Sequence, residues 1–297
     1  MKLKQWLVGM LLSCAAGTTQ AHDVQQVERV DTFRTTVMSD LRNREVLVMK
    51  PWKDSGTPAP AIVVLHYLHG SPADMADLTA IGKLARDAGA WVIIPDGIQG
   101  KWNYGALSIK TVDDVKFLNR VIDKVVADYP VDPKRIYMTG YSNGGLMAVR
   151  YACEQPGRIA AVGVVATTIE PLDAVQCKPP VGIPMLYING VQDPLIPFNG
   201  NLFKRSAADT LAMWRGFDGC TDSSVTTDLP DAVVDGTTVK HIAWRNCAAG
   251  MAVEQYVVEG GGHTWPGTQR FTLGLGKTSQ DFNATDAIWQ FVSAFSR

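Results

Sequence analysis

Ser142 stands in Gly140-Tyr141-Ser142-Asn143-Gly144, a G-x-S-x-G frame with a further glycine at 145. A short apolar run, Arg135 to Met138, precedes it, and a helix-like run, Leu146 to Ala152, follows it. Strand, tight glycine-flanked turn and helix together describe a nucleophile elbow, in which the turn is too sharp for flanking side chains and the central serine is thrust outward. The five-residue frame is short, so its context carries the reading.

A serine hydroxyl is a weak nucleophile; it needs a base within hydrogen-bond reach and a carboxylate to orient that base. In elbow-type sites the chain order is Ser, then Asp or Glu, then His. Two histidines follow Ser142. His241 lies within an alternating run, Thr238 to Trp244, and reads as a strand side chain. His263 lies in the glycine-rich loop 259–267, after an apolar run, Val253 to Val258, and is the expected base. The expected acid is Asp193, which follows Pro184 to Asn189 and the turn 190–192 and precedes Pro194. Asp173 is the alternative; Asp209, Asp218, Asp222, Asp228, Asp231 and Asp235 read as helix-surface or turn residues.

An oxyanion needs two N–H donors. One belongs to Asn143; the other comes from the loop after the strand 61–65, which reads His66-Tyr67-Leu68-His69-Gly70, with Tyr67 and Leu68 as candidates. A His66/His69 metal pair lacks a clear third ligand, so no metal and no cofactor is expected. Trp102, in Trp102-Asn103-Tyr104, and Trp265, just past His263, are expected as aromatic walls of a substrate cleft.

The elements that must hold these residues alternate in type. Glu45 to Met49 looks like an early strand; Ala61 to Leu65 and Ala90 to Ile94 are continuous β-branched runs, as in strands buried on both faces. Helical spacing runs from Met75 to Ala88 and from Asp113 to Asp128, the second with Val115, Leu118, Val121, Ile122 and Val125 on one face. The strand before Ser142, then strands at 160–166, 183–189 and 253–258, and a helix from about Ala284 to Phe295 complete the order. This predicts an α/β class: a mostly parallel, doubly wound sheet with helices on both faces, in the manner of an α/β-hydrolase fold.

The first 21 residues, with Lys2 and Lys4 before an apolar stretch and Thr19-Gln20-Ala21 as a small-residue cleavage site, read as an export signal. Leu11-Leu12-Ser13-Cys14 also fits a lipoprotein site, the alternative in which Cys14 carries a lipid anchor. Residues 22–297 then form one catalytic domain, secreted or periplasmic, or lipid-anchored to a membrane in the alternative. His22, the new terminus, reads as a frayed end. No run of about 18 apolar residues would span a bilayer. Without the two leader lysines the balance is 26 basic to 29 acidic residues, and no basic run exceeds two, which excludes a nucleic-acid footprint. The remaining cysteines, Cys153, Cys177, Cys220 and Cys247, suggest two disulfides in an exported chain. Three pairings are open, and the sequential one closes the shortest loops.

With these pieces assembled, the chain resembles the exported polyhydroxybutyrate depolymerase and feruloyl esterase family of α/β-hydrolases. The resemblance rests on Pro95-Asp96-Gly97 with Trp102-Asn103, Val112 to Val115, Gly140 to Gly145, Asn189-Gly190 with Asp193-Pro194, and Gly261-Gly262-His263-Thr264-Trp265-Pro266-Gly267. It spans roughly residues 60–295 and implies the triad Ser142, Asp193 and His263, the sequential disulfides, and hydrolysis of carboxylic esters. The family carries His-Gly-Gly after its second strand; here Tyr67 and Leu68 stand where glycines are expected. Depolymerases of this type often append a polymer-binding module, and the chain stops at Arg297, so small esters and oligoesters are expected ahead of solid polymer. The alternatives are a serine peptidase, for which no charged anchor for a peptide terminus is found, and a non-catalytic binding protein on the same fold.

Overall fold

The computed structural model describes residues 30–53, 56–105, 112–270 and 273–297. The leader at 1–21, with Cys14, and His22 lie outside the described residues.

A ten-stranded sheet runs in the order β1-β2-β4-β3-β5-β6-β7-β10-β9-β8. Its middle is parallel: β4 (Trp91–Pro95), β3 (Ala59–Leu65), β5 (Val131–Tyr141), β6 (Ala161–Val165), β7 (Met185–Gly190) and β10 (Val253–Glu259). Antiparallel strands close both sides: the hairpin β1 (Thr32–Ser39) and β2 (Arg42–Met49) on one, β9 (Thr238–Trp244) and β8 (Val225–Asp228) on the other. Asp40 and Leu41, both at positive φ, form the two-residue hairpin turn, whose hand matches the strand twist.

β3, β4 and β6 are apolar at every position because helices cover both faces. Ala61, Val63 and Leu65 pack with α3 (Asp114–Asp128), α4 (Asn143–Glu154) and α6 (Ala207–Phe217). Their neighbours Ile62 and Val64 pack with α1 (Pro72–Thr79), α2 (Gly82–Asp87) and α7 (Ala284–Val292). The period of two thus divides one strand's residues between two cores. The short α5 (Pro171–Gln176) follows β6.

The single helix expected over 75–88 is two. Ala80 adopts a left-handed conformation (φ 49°, ψ 32°) that ends α1, and Thr285 of α7 donates its hydroxyl to the freed Thr79 carbonyl at 2.7 Å. A tertiary partner for the exposed carbonyl thus stabilises a break that periodicity does not reveal. The last helix also ends at Val292, three residues short of Phe295. The disulfides are sequential, Cys153–Cys177 and Cys220–Cys247. They tie the end of α4 to the residue after α5, and the segment after α6 to the stretch following β9. Loops of this length are worth roughly 3 kcal/mol each in the chain-entropy model.

Asp218 corrects the sequence reading. Instead of lying on a helix surface it is 1% exposed at the end of α6. Its Oδ1 accepts the Ile183 N–H at 2.8 Å, and its Oδ2 has no partner among the described residues. Burial pushes its carboxyl up to about 7 against the opposing pull of that hydrogen bond. The unfolded chain loses the same proton near pH ~3.9. The native state therefore keeps it longer, so the contribution of Asp218 to stability is full at acid pH and is lost as pH rises toward 7, by at most about 4 kcal/mol. Asp218→Asn should remove this decline: its melting temperature relative to wild type should rise steadily between pH 4 and 8. A difference that stays flat across that range would show that Asp218 does not titrate this way.

Candidate active site

The switch from leftward to rightward strand order falls between β3 and β5, the point in a doubly wound sheet where a crevice opens at the carboxyl ends. Both strands deliver site residues there. At the end of β5, Ser142 adopts φ 54°, ψ −117°, a conformation rare for a residue with a side chain and costing on the order of 1–3 kcal/mol. Its N–H donates to the Val165 carbonyl at 3.0 Å and its carbonyl accepts from Leu146 N–H at 2.9 Å. A Cβ on Gly140 would collide with the Gly144 carbonyl, and one on Gly144 would collide with the carbonyls of Leu65 and His66. The glycines of the frame are therefore demanded by contact on two sides.

Asp193 sits in the turn after β7, 7% exposed. Its Oδ1 accepts the N–H groups of Leu195 and Ile196, each at 2.8 Å, which leaves Oδ2 for another donor. His263 follows β10, 2% exposed. Its loop is laced to the acid's turn: Gln192 N–H donates to the Gly261 carbonyl at 2.9 Å, and a Cβ on Gly190 would collide with the carbonyls of Gly261 and Gly262. The His263 N–H donates to the Leu275 carbonyl and its carbonyl accepts the Tyr141 hydroxyl, both at 2.6 Å. Burial, then the charge of Asp193, raises the Tyr141 phenol above its ordinary range, so it remains a neutral donor.

These supports align one chain of hydrogen bonds. Asp193 Oδ2 lies 2.7 Å from His263 Nδ1, and His263 Nε2 lies 2.8 Å from Ser142 Oγ. A carboxylate only accepts, so Nδ1 carries the ring proton and Nε2 is left to accept from the serine hydroxyl. Such an arrangement can draw a proton from Ser142 as the oxygen attacks an electrophile. The other candidates lie apart from it. His241, in β9, has Nε2 2.7 Å from Glu254 Oε2 and stacks on Tyr256. Asp173 is in α5, beside a cleft of about 160 Å³ that Leu146, Ile169 and the Cys153–Cys177 bridge also line.

The N–H groups of Asn143, Tyr67 and Leu68 have no acceptor among the described residues, as donors kept for a ligand would require. His66 is fully buried with both ring nitrogens engaged, Nδ1 by the Tyr67 carbonyl and Nε2 by the Gly97 N–H, each at 2.8 Å.

The aromatic walls need correction. Trp265 is 1% and Trp102 3% exposed, so neither is the wall of an open cleft. Trp265 meets Tyr141 edge-on and donates toward Thr285 at 3.3 Å. Trp102 stacks on Phe117 and donates its indole N–H to the His66 carbonyl. Large apolar residues that do face solvent in loops past the sheet's carboxyl ends include Leu68, Leu195, Leu202 and Phe203. Leu195, two residues past Asp193 and next to a proline, was visible in the sequence as a loop residue; Tyr141's service to the His263 loop left no local trace.

The sequence model of the dienelactone hydrolase family matches residues 45–212. The putative esterase NocK of Nocardia uniformis subsp. tsuyamanensis is 32% identical over 238 residues, covering 71% of this chain and 68% of that one. Feruloyl esterase B of Piromyces equi is 30% identical over 253 residues, covering 77% of this chain and 46% of the other, so the chain spans about half its length. Among solved structures, the acetyl xylan esterase from Aspergillus awamori superposes with a TM-score of 0.61 at 15% identity, over 79% of this chain and 94% of that one, a likeness of fold.

The contact between Gly190 and the 261–262 carbonyls makes a test of this assembly. Gly190→Ala should push the His263 loop off Asp193, and displacements of about 1 Å at such sites cost on the order of a hundredfold in turnover. Ester turnover by the folded variant, checked by circular dichroism, should fall by about that factor; wild-type turnover would show that the loop yields without harm.

Proposed function

Because the chain belongs to the dienelactone hydrolase family of α/β-hydrolases, we propose that it is a serine carboxylic-ester hydrolase acting through Ser142, His263 and Asp193. The observation that carries this reading is the unbroken hydrogen-bonded line from Ser142 Oγ through His263 to Asp193. His263 Nε2 takes the Ser142 proton while Oγ attacks the ester carbonyl. The oxyanion of the tetrahedral intermediate is bound by the Asn143 N–H and by an N–H of Tyr67 or Leu68. Collapse breaks the bond to the alkoxy oxygen, and His263 returns the proton to the departing alcohol, leaving an acyl-enzyme. Water, deprotonated by the same imidazole, attacks the acyl carbon and releases the acid and free Ser142. Asp193 holds the ring in the needed tautomer and stabilises the imidazolium throughout.

The substrate class follows from the relatives, whose names include a putative esterase and a feruloyl esterase. We assign a small ester or oligoester with a flat aryl or short acyl group. The leader and the two sequential disulfides support an exported, single-domain enzyme, with lipidation at Cys14 as the alternative fate of the leader.

Ser142→Ala should lower ester turnover by roughly six orders of magnitude, and Asp193→Asn by roughly 10⁴ with the fold intact. Asp173→Asn should leave turnover unchanged. A tenth of wild-type activity surviving in purified Ser142→Ala would remove the serine from its role, and damage from Asp173→Asn alone would reassign the acid.

On a panel of feruloyl, acetyl-xylan, p-nitrophenyl acyl and hydroxybutyrate-oligomer esters, kcat/KM should be highest for a feruloyl or short-chain ester. Rapid clearing of a poly(3-hydroxybutyrate) film with no measurable turnover of soluble esters would overturn that assignment.

A further inference from the structure

We propose that Trp102 is the positioning residue of the oxyanion site, its buried indole holding one of the loops that supply the donors and its backbone holding the other. This rests on the reading of Ser142 as nucleophile. Trp102 lies in the segment after β4 and makes two independent attachments. Its indole N–H donates to the His66 carbonyl at 2.9 Å. Its backbone N–H donates to Asn143 Oδ1 at 2.7 Å, and Asn143 Nδ2 donates back to the Trp102 carbonyl at 3.3 Å. The first attachment grips the loop after β3, the second grips the residue after the nucleophile.

Peptide planarity turns these bonds into control over N–H groups. The His66 carbonyl and the Tyr67 N–H share one rigid plane, so a carbonyl held by the indole fixes the direction of that donor. The next plane, joining the Tyr67 carbonyl to the Leu68 N–H, is held by His66 Nδ1 at 2.8 Å and by the Gly70 N–H at 3.0 Å. His66 Nε2 accepts from Gly97 N–H, so the proton sits on Nδ1 and the ring donates to the Tyr67 carbonyl. That ring packs against the Trp102 indole, centroid to centroid 5.1 Å. Whichever of Tyr67 and Leu68 is the donor, its plane is referred back to Trp102.

The indole in turn rests on a rigid base. The Arg44 guanidinium lies 5.6 Å from its ring and 3.5 Å from the Phe117 ring centroid. Arg44 is bound to Asp114 at 2.5 Å, and the second oxygen of Asp114 accepts the Asn103 N–H at 2.7 Å, the residue next to Trp102. With 3% exposure, Trp102 acts through its neighbours and not on substrate.

Trp102→Phe keeps an aromatic ring but removes the indole donor and, at this buried position, leaves a small cavity. Sites would be counted by stoichiometric fluorophosphonate labelling of Ser142, so that misfolded enzyme does not enter the rate. We expect kcat per labelled site to fall roughly ten- to hundredfold, below the 10²–10³ of a deleted donor, with KM within about twofold. Affinity for a phenylboronic acid, whose tetrahedral adduct occupies the oxyanion site, should fall in proportion, and the acidic limb of the pH profile should stay in place. Asn143→Ala removes the other attachment but keeps its own N–H, so it should act in the same direction, and the double variant should lose little beyond the worse single. Unchanged kcat per site in Trp102→Phe overturns the proposal, as do losses that simply multiply in the double variant. If Trp102→Phe does not fold, the Asn143→Ala result decides: full kcat and full boronate affinity would overturn it. Turnover surviving in Ser142→Ala would instead sink the catalytic reading itself, a result these variants do not mimic.

Discussion

The site depends on one close approach: the backbone of Gly144 lies directly against the last carbonyls of β3, where no side chain fits. This contact seats the first turn of α4 on the strand beside β5 and brings the residue after Ser142 next to the 66–70 loop. Without it the donors on the two segments would have no common target. The strained backbone at Ser142 persists because neighbours over-determine it: the Val165 carbonyl, the start of α4 and the glycine contacts on both sides. The burial of β3, β5 and β6 between two helical layers supplies the stability against which this strain is set.

A second constraint lies beneath. Arg44 on β2 and Asp114 at the start of α3 form an ion pair with 5% and 0% of their side chains exposed. Burial lowers the Arg44 guanidinium below its ordinary range, with the Asp114 charge opposing it. Removing charges from water is expensive, and such pairs seldom add net stability, but losing one partner strands the other at about 3–5 kcal/mol. Here the remaining valences are used. Arg44 also donates to the Asp96 carbonyl and Asp114 accepts from Asn103. The pair thus joins the antiparallel edge of the sheet, the α3 cap and the loop of Trp102 in a single geometry.

Much of this was legible in the sequence, and the failures share a cause. Continuous β-branched runs announced β3 and β4, and amphipathic spacing announced α3, because burial on two faces or one stripe writes itself into local pattern. Ser142, Asp193 and His263 were legible as candidates because each lies in a turn just past a strand, with glycine or proline within two residues. What escaped was whatever depends on a partner far along the chain. The break between α1 and α2 relies on Thr285, the burial of Asp218 on Ile183, and the role of Trp102 on His66 and Asn143. A tryptophan near a strand end looks alike in sequence whether it walls a cleft or underlies one. Trp102-Asn103 and Asp113-Asp114 carry part of the family resemblance in the sequence, and in the structure Asp114 joins Asn103 to the buried network with Arg44.

The position of β10 has a consequence for how the molecule comes into being. β10 is the last strand in the chain, yet it is not at the sheet's edge: it lies between β7 and β9, parallel to one and antiparallel to the other. The elbow, the acid's turn and the β8–β9 ribbon are all synthesised before the strand that carries His263. A growing chain can therefore form the serine turn while the imidazole has no place to stand. The hydrogen-bonded line from Ser142 to Asp193 requires this late strand in place between its two neighbours, so a chain ending before β10 lacks its imidazole.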